Sequence, residues 1–112
     1  MLSFQRLDVY QRAIEFLALT ADISTDVPRG NAALLDQLRR AALSIPLNIA
    51  EAAGRTGKAD AARVYAIARS SAMECAAVMD ALQLLKVVDS SRYQRGIELL
   101  ERVVAMLTKL CL

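Results

Sequence analysis

The chain has 112 residues, with 14 Lys and Arg against 12 Asp and Glu, and it contains no His and no Trp. A single domain of this length buries roughly two thirds of its unfolded surface, so disulfides and structural metals are unnecessary. The missing His removes the commonest general base, triad partner and zinc ligand together. Hydrophobic residues form 55% of the sequence and aromatics only 4%, because Ala and Leu alone fill 37 positions; small and unbranched side chains of this kind suit close-packed helices.

Leu7, Tyr10, Ile14, Leu17 and Ala21 step by three and four residues, while Asp8, Gln11, Arg12, Glu15 and Asp22 fall mostly on the other side. This spacing predicts a first helix over 7–24, buried along that apolar stripe. The run Asp26-Val27-Pro28-Arg29-Gly30 punctuates the chain, and Asn31 is placed to cap the next helix. That second helix is expected over 31–53, with Leu34, Leu35, Leu38, Ala41, Ala42, Ile45, Ile49 and Ala52 on one arc and Gly54 just past its end. Pro46 falls inside it, deletes an amide donor and crowds the carbonyl of Ala42, so the helix either bends there or breaks. The apolar spacing continues in phase from Ile45 to Ile49 and Ala52, which favours the bend.

Gly54-Arg55-Thr56-Gly57-Lys58 is the second turn, with Thr56 a candidate cap and Asp60 suited to the positive end of a third helix over 59–87. The apolar positions Val64, Ala68, Ala72, Cys75, Val78, Met79, Leu82 and Leu85 cover a wider arc than one bundle core demands. Asp60, Arg63, Ser70 and Glu74 occupy one polar strip, and Arg69 with Asp80 marks a second. Asp89-Ser90-Ser91 caps a fourth helix over 90–111, where Tyr93, Ile97, Leu100, Val104, Leu107 and Cys111 form one row and Leu99, Val103, Met106 and Leu110 another. Loops this short favour antiparallel neighbours. The expected fold is therefore all-α, an up-and-down antiparallel four-helix bundle forming a single domain over 1–112, with helices crossing at about 20°.

A formal charge of +2 does not announce a polyanion partner, so any basic surface must come from segregation. From Arg29 to Arg69 there are seven basic residues and three acidic ones, a net of +4, whereas the remaining seven basic and nine acidic residues give −2. Arg39, Arg55, Lys58, Arg63 and Arg69 are the candidate nucleic-acid contacts; an ordinary solvated surface is the competing reading. Contact would be through phosphates, because no aromatic platform for stacking bases is apparent. The first residues lack a basic stretch followed by an apolar run, and no run approaches the ~20 residues of a membrane span. Cys75 and Cys111 form no CxxC and fall at core-type positions, so a cytoplasmic, reducing location is expected.

At 100° per residue, Gln37, Arg40, Ser44, Asn48, Glu51 and Arg55 fall within an arc of about 80° beside the apolar arc of the second helix. Such a stripe either meets another helix or subunit through a polar network, with Glu74 a further member, or remains a solvated face with i,i+4 support. Leu43, Leu47 and Ala50 lie outside the main apolar arc and are the candidate self-association residues; a broad bundle core is the alternative. No catalytic, cofactor-binding or metal site is expected. Glu51 and Glu74 lie near Arg55 and Arg69, which suggests structural pairing rather than acid/base work. Ser44, Ser70 and Ser71 have no evident base, and Gly54 to Lys58 lacks the spacing and preceding strand of a phosphate loop.

The run Gln37-Leu38-Arg39-Arg40-Ala41-Ala42-Leu43-Ser44-Ile45-Pro46-Leu47-Asn48-Ile49-Ala50-Glu51 resembles the QLRRAA-x-SIP-x-NIAEG-x-GR signature of the four-helix bundle proteins encoded by intervening sequences of bacterial 23S rRNA genes. Phe4, Leu7, Asp8, Val9, Tyr10 and Ala13 are similar to that family's opening, and Ile67, Ala68, Ser71 and Glu74 to its IA-x-GS-x-x-E element. Ala52 and Ser70 stand where the family usually has Gly, which bears on close backbone approach rather than on the fold. The resemblance implies a bundle that assembles as a ring-like homopentamer. It also implies kinship with the accessory protein of diversity-generating retroelements, a pentamer that binds nucleic acid and a reverse transcriptase. The expected function is a non-enzymatic self-assembling bundle whose first partner is itself, with a nucleic-acid-binding accessory factor as the alternative. A protein partner is also compatible with either reading.

Overall fold

Four helices carry most of the chain in the computed structural model, which describes residues 1–26 and 30–112. A 3-10 turn, Ser3–Arg6, precedes α1 (Asp8–Thr25), α2 (Ala32–Ala53), α3 (Lys58–Leu84) and α4 (Ser90–Leu110), and there is no strand among the described residues. Val27, Pro28 and Arg29, which belong to the first predicted turn and the basic segment, lie outside the described residues.

Side-chain pairs between helices fix the directions. Ser44 meets Ser71 and Gln37 meets Glu74, so α2 and α3 run antiparallel. Arg69 meets Thr108 and Tyr93 meets Asp80, which sets α4 antiparallel to α3. Across α1 and α4, Asp8 faces Arg102 at 3.7 Å, Glu15 faces Arg95 at 2.9 Å and Asp22 faces Arg92 at 3.1 Å. α1 is thereby antiparallel to α4 and to α2. Each helix packs on two neighbours in the order α1, α2, α3, α4 and back to α1, with no close backbone approach across the diagonals among the described residues. The long axis of 45 Å accommodates α3, whose 27 residues rise about 40 Å at 1.5 Å each.

α1 turns a different stripe inward from the one predicted. Val9, Ala13, Phe16, Thr20 and Ile23 are buried, whereas Ile14 and Ala21 are exposed and Leu7, Tyr10 and Leu17 only flank the core. Both stripes have the same three-four spacing. The buried one holds Phe16 but is interrupted by Thr20, a polar residue that satisfies itself by donating its hydroxyl to the Leu17 carbonyl at 2.6 Å. In α2 the expected arc is buried from Leu35 to Ala52, and Pro46, also buried, lies within one unbroken helix. Gly54 takes the C-cap position with φ −85°, so its freedom to adopt a left-handed conformation is not used.

α3 starts after Gly57 rather than Thr56 and ends at Leu84, three residues before the expected Val87. Its end is a Schellman motif: the Lys86 amide donates to the Gln83 carbonyl at 3.0 Å and the Val87 amide to the Leu82 carbonyl at 2.9 Å. Lys86 occupies the left-handed position that usually calls for glycine, at φ 59°. Leu85, predicted in the core, is consequently exposed. Asp89 caps α4 as predicted, accepting from the Arg92 amide at 3.1 Å. Gly96 is buried in mid-helix, where a Cβ would stand 2.7 Å from Met79 Cε, so its bare backbone lets α4 approach α1 and α3.

Candidate interaction surface

The polar stripe of α2 closes against α3 of the same chain. Ser44 Oγ and Ser71 Oγ are 2.8 Å apart, and Asn48 Nδ2 donates both to the Ser44 carbonyl at 2.8 Å and to its hydroxyl at 3.0 Å. Gln37 Nε2 donates to Glu74 Oε2 at 3.5 Å. Arg55 bridges Glu51 and Asp60, and Arg63 joins the same Asp60 at 3.0 Å. The hydrogen bond from Arg63 is the first cause holding the Asp60 carboxyl below its ordinary range, and the bond to Glu51 is the first that raises Arg55. Arg40, the member of the predicted stripe nearest the outer face, does not join this network: it is exposed and makes no hydrogen bond or ion pair among the described residues.

Glu74 therefore pairs with Gln37 and not with Arg69. Arg69 turns the other way, donating from Nε to Thr108 Oγ1 at 2.8 Å and tying α3 to α4.

The five candidate phosphate contacts do not form one cluster. Arg39 pairs with Asp36 at 2.8 Å and lies about 24 Å before Arg55 along the axis of α2. Arg69 faces α4. Only Arg55, Lys58 and Arg63 remain around the α2–α3 turn, and two of these three are already held by Glu51 and Asp60. Lys58 is exposed and has no ion pair among the described residues.

Leu43 and Leu47, one turn apart on the outer face of α2, are 46% and 59% exposed, and Ala50 beside them is half-buried. Ile67, 43% exposed, stands one turn before Ser71 on the edge of α3 that faces α2. Sequence reasoning misses Ile67 as a surface residue, although its place three and seven residues before Ser70 and Glu74, on the same polar strip of the helix, is an available signal.

A second apolar feature is also missed by the sequence. Met73, Ala76, Ile97, Leu100, Glu101 and Val104 line a groove of about 330 Å³ between α3 and α4. Spacing places Ile97 and Val104 in a core row, but Ala76 opposite them is too small to cover both. Two cross-helix bonds bound the groove: Arg69 to Thr108 at one end, and the Tyr93 hydroxyl to Asp80 Oδ1 at 2.6 Å at the other. The carboxylate at Asp80 raises the Tyr93 hydroxyl above its ordinary value, keeping the donor protonated.

Fold and surface together define a small all-α bundle protein whose polar stripe, Arg40 apart, is used internally and whose outer faces carry apolar residues. Residues 5–109 match the family of the 23S rRNA-intervening sequence protein, and the chain belongs to that family. A comparison with curated proteins yields no match.

Proposed function

We propose that this chain is a non-enzymatic, self-assembling helical protein of the 23S rRNA-intervening sequence type, with the outer face of α2 as its contact surface. The observation that carries this reading is the exposure of Leu43 and Leu47, two large apolar side chains one turn apart with Ala50 beside them. A single exposed leucine carries no such meaning; an exposed apolar pair one turn apart, on the face of the helix turned away from its core arc, marks an interaction site. The family resemblance supports a ring-like homopentamer as the assembled form.

The placement of possible nucleophiles favours a structural role. Ser44 and Ser71 bond to one another, and burial pushes the Cys75 thiol up to about 12, well away from thiolate chemistry at neutral pH. Two free thiols suit the reducing cytoplasm. No described helix is long and apolar enough to cross a membrane.

Nucleic-acid binding is the second reading, carried by Lys58 beside Arg55 and Arg63 at the α2–α3 turn. Repetition of this turn around an oligomer would add avidity and counterion release to a weak local charge. Light scattering at micromolar concentration tests the first reading: a multiple of the 12.2 kDa protomer mass is expected, and a monomer refutes it. Gel-shift titration with structured RNA and duplex DNA at two salt concentrations tests the second, which fails if no retardation occurs at low salt.

A further inference from the structure

We infer that the Leu43/Leu47 ridge of α2 seats in the α3–α4 groove of a second copy of this chain, with Arg40 of the ridge meeting Glu101 on the groove's rim. This inference rests on the self-assembly reading and names both halves of the contact. The ridge is convex: Leu43 and Leu47 project from the outer face of α2, a turn apart. The groove is concave, with Leu100 as its buried floor and Met73, Ile97 and Val104 as its walls. The cross-ties at Arg69 and Asp80 set its length at about 16 Å along α3. That length admits a ridge of two successive turns.

Charge selects this groove over the other apolar depression on the surface. Arg40 lies one turn before Leu43, and Glu101 lies among the lining residues of the α3–α4 groove. Neither has a hydrogen bond or ion pair among the described residues. The alternative depression, between α1 and α4, is lined by Leu7, Val9, Met106 and Leu110 together with Asp8 and Lys109. There Asp8 is already engaged by Arg12 at 3.0 Å and Arg102 at 3.7 Å, and Lys109 has the same sign as Arg40.

The ridge and the groove belong to different faces of the bundle. Their contact is heterologous, so an open assembly keeps one free ridge at one end and one free groove at the other until it closes on itself as a ring. Opposite charges at its edge would set orientation and exclude the wrong groove.

Two single variants test this, both at exposed positions: Leu47→Asp in the ridge and Met73→Asp in the groove wall. Each alone should sediment as a monomer. Mixed in equal amounts, they should form a complex of twice the 12.2 kDa protomer mass and nothing larger, because one intact ridge and one intact groove remain. A mixture that stays monomeric, or a Met73→Asp protein that keeps the wild-type mass, overturns the inference while leaving self-assembly standing. A monomeric wild type overturns the self-assembly reading itself. If circular dichroism shows either Asp variant unfolded, the charge pair decides: Arg40→Glu and Glu101→Arg should each lower the mass, and their combination in one chain should restore it. Failure of the double reversal to restore the mass would count against the Arg40 to Glu101 contact.

Discussion

Lys86→Gly should stabilise the protein. Lys86 sits at φ 59° just past α3, where an L side chain crowds its own backbone. A residue in that conformation costs about 1 to 2 kcal/mol relative to the right-handed region, and glycine removes the cost. Against this stands the greater freedom of an unfolded glycine, about 0.5 to 1 kcal/mol. The Lys86 side chain is exposed and has no ion pair among the described residues, so little else is lost. The two Schellman bonds, from Lys86 to Gln83 and from Val87 to Leu82, come from backbone amides that glycine retains. The net gain is about 0 to 1.5 kcal/mol, centred on about 0.75, a rise in melting temperature of about 3 °C at the centre of that range for a chain of this size. Urea titration followed by circular dichroism would measure it, with Lys86→Ala as the control that removes the side chain and keeps the strain. A Lys86→Gly protein no more stable than Lys86→Ala would show that the left-handed position is not a source of strain.

Alkaline pH should weaken the fold through Cys75. Burial, assisted by the charge on Glu74, raises its thiol from 9.0 to about 12. The unfolded chain then loses this proton first, so the contribution is whole below pH 9 and declines as pH rises towards 12. At pH 10.5 the loss is about 2 kcal/mol, with Tyr65, also raised by burial, acting in the same direction. Urea midpoints at neutral pH and pH 10.5 should differ less in Cys75→Ala than in wild type; equal differences refute the assignment. Gly96→Val should destabilise, since its Cβ meets Met79 at 2.7 Å, Leu19 at 3.3 Å and Phe16 at 3.4 Å in a filled core. Overpacking of this kind costs about 1 to 3 kcal/mol, and an unchanged melting temperature would show that α4 shifts freely.

The arc of α2 was legible because its buried positions from Leu35 to Ala52 stay in phase through Pro46. α1 was not, since its apolar residues occupy more than one stripe and spacing alone cannot say which faces inward. Thr20 concealed the buried stripe, and only the hydroxyl bond to Leu17 shows how a polar residue is accommodated there. The end of α3 was overrun because the left-handed position carries Lys86, and without a glycine the turn has no signature. Asp8, Glu15 and Asp22 recur every seven residues, but their meaning depends on finding Arg102, Arg95 and Arg92 across from them. The polar stripe of α2 was visible in the spacing; its partner Ser71 was fixed only by the register between helices. Leu43 and Leu47 were separated from the core by their angular position, whereas the α3–α4 groove depends on how little of Ile97 and Val104 Ala76 covers.

Sedimentation equilibrium of wild type and Leu47→Asp tests the central claim most directly. The wild type should have a mass several times the 12.2 kDa protomer, and Leu47→Asp should have the protomer mass while retaining the same helical circular dichroism spectrum. A monomeric wild type, or an undiminished oligomer in Leu47→Asp, would contradict the assignment of the outer face of α2 as the assembly surface.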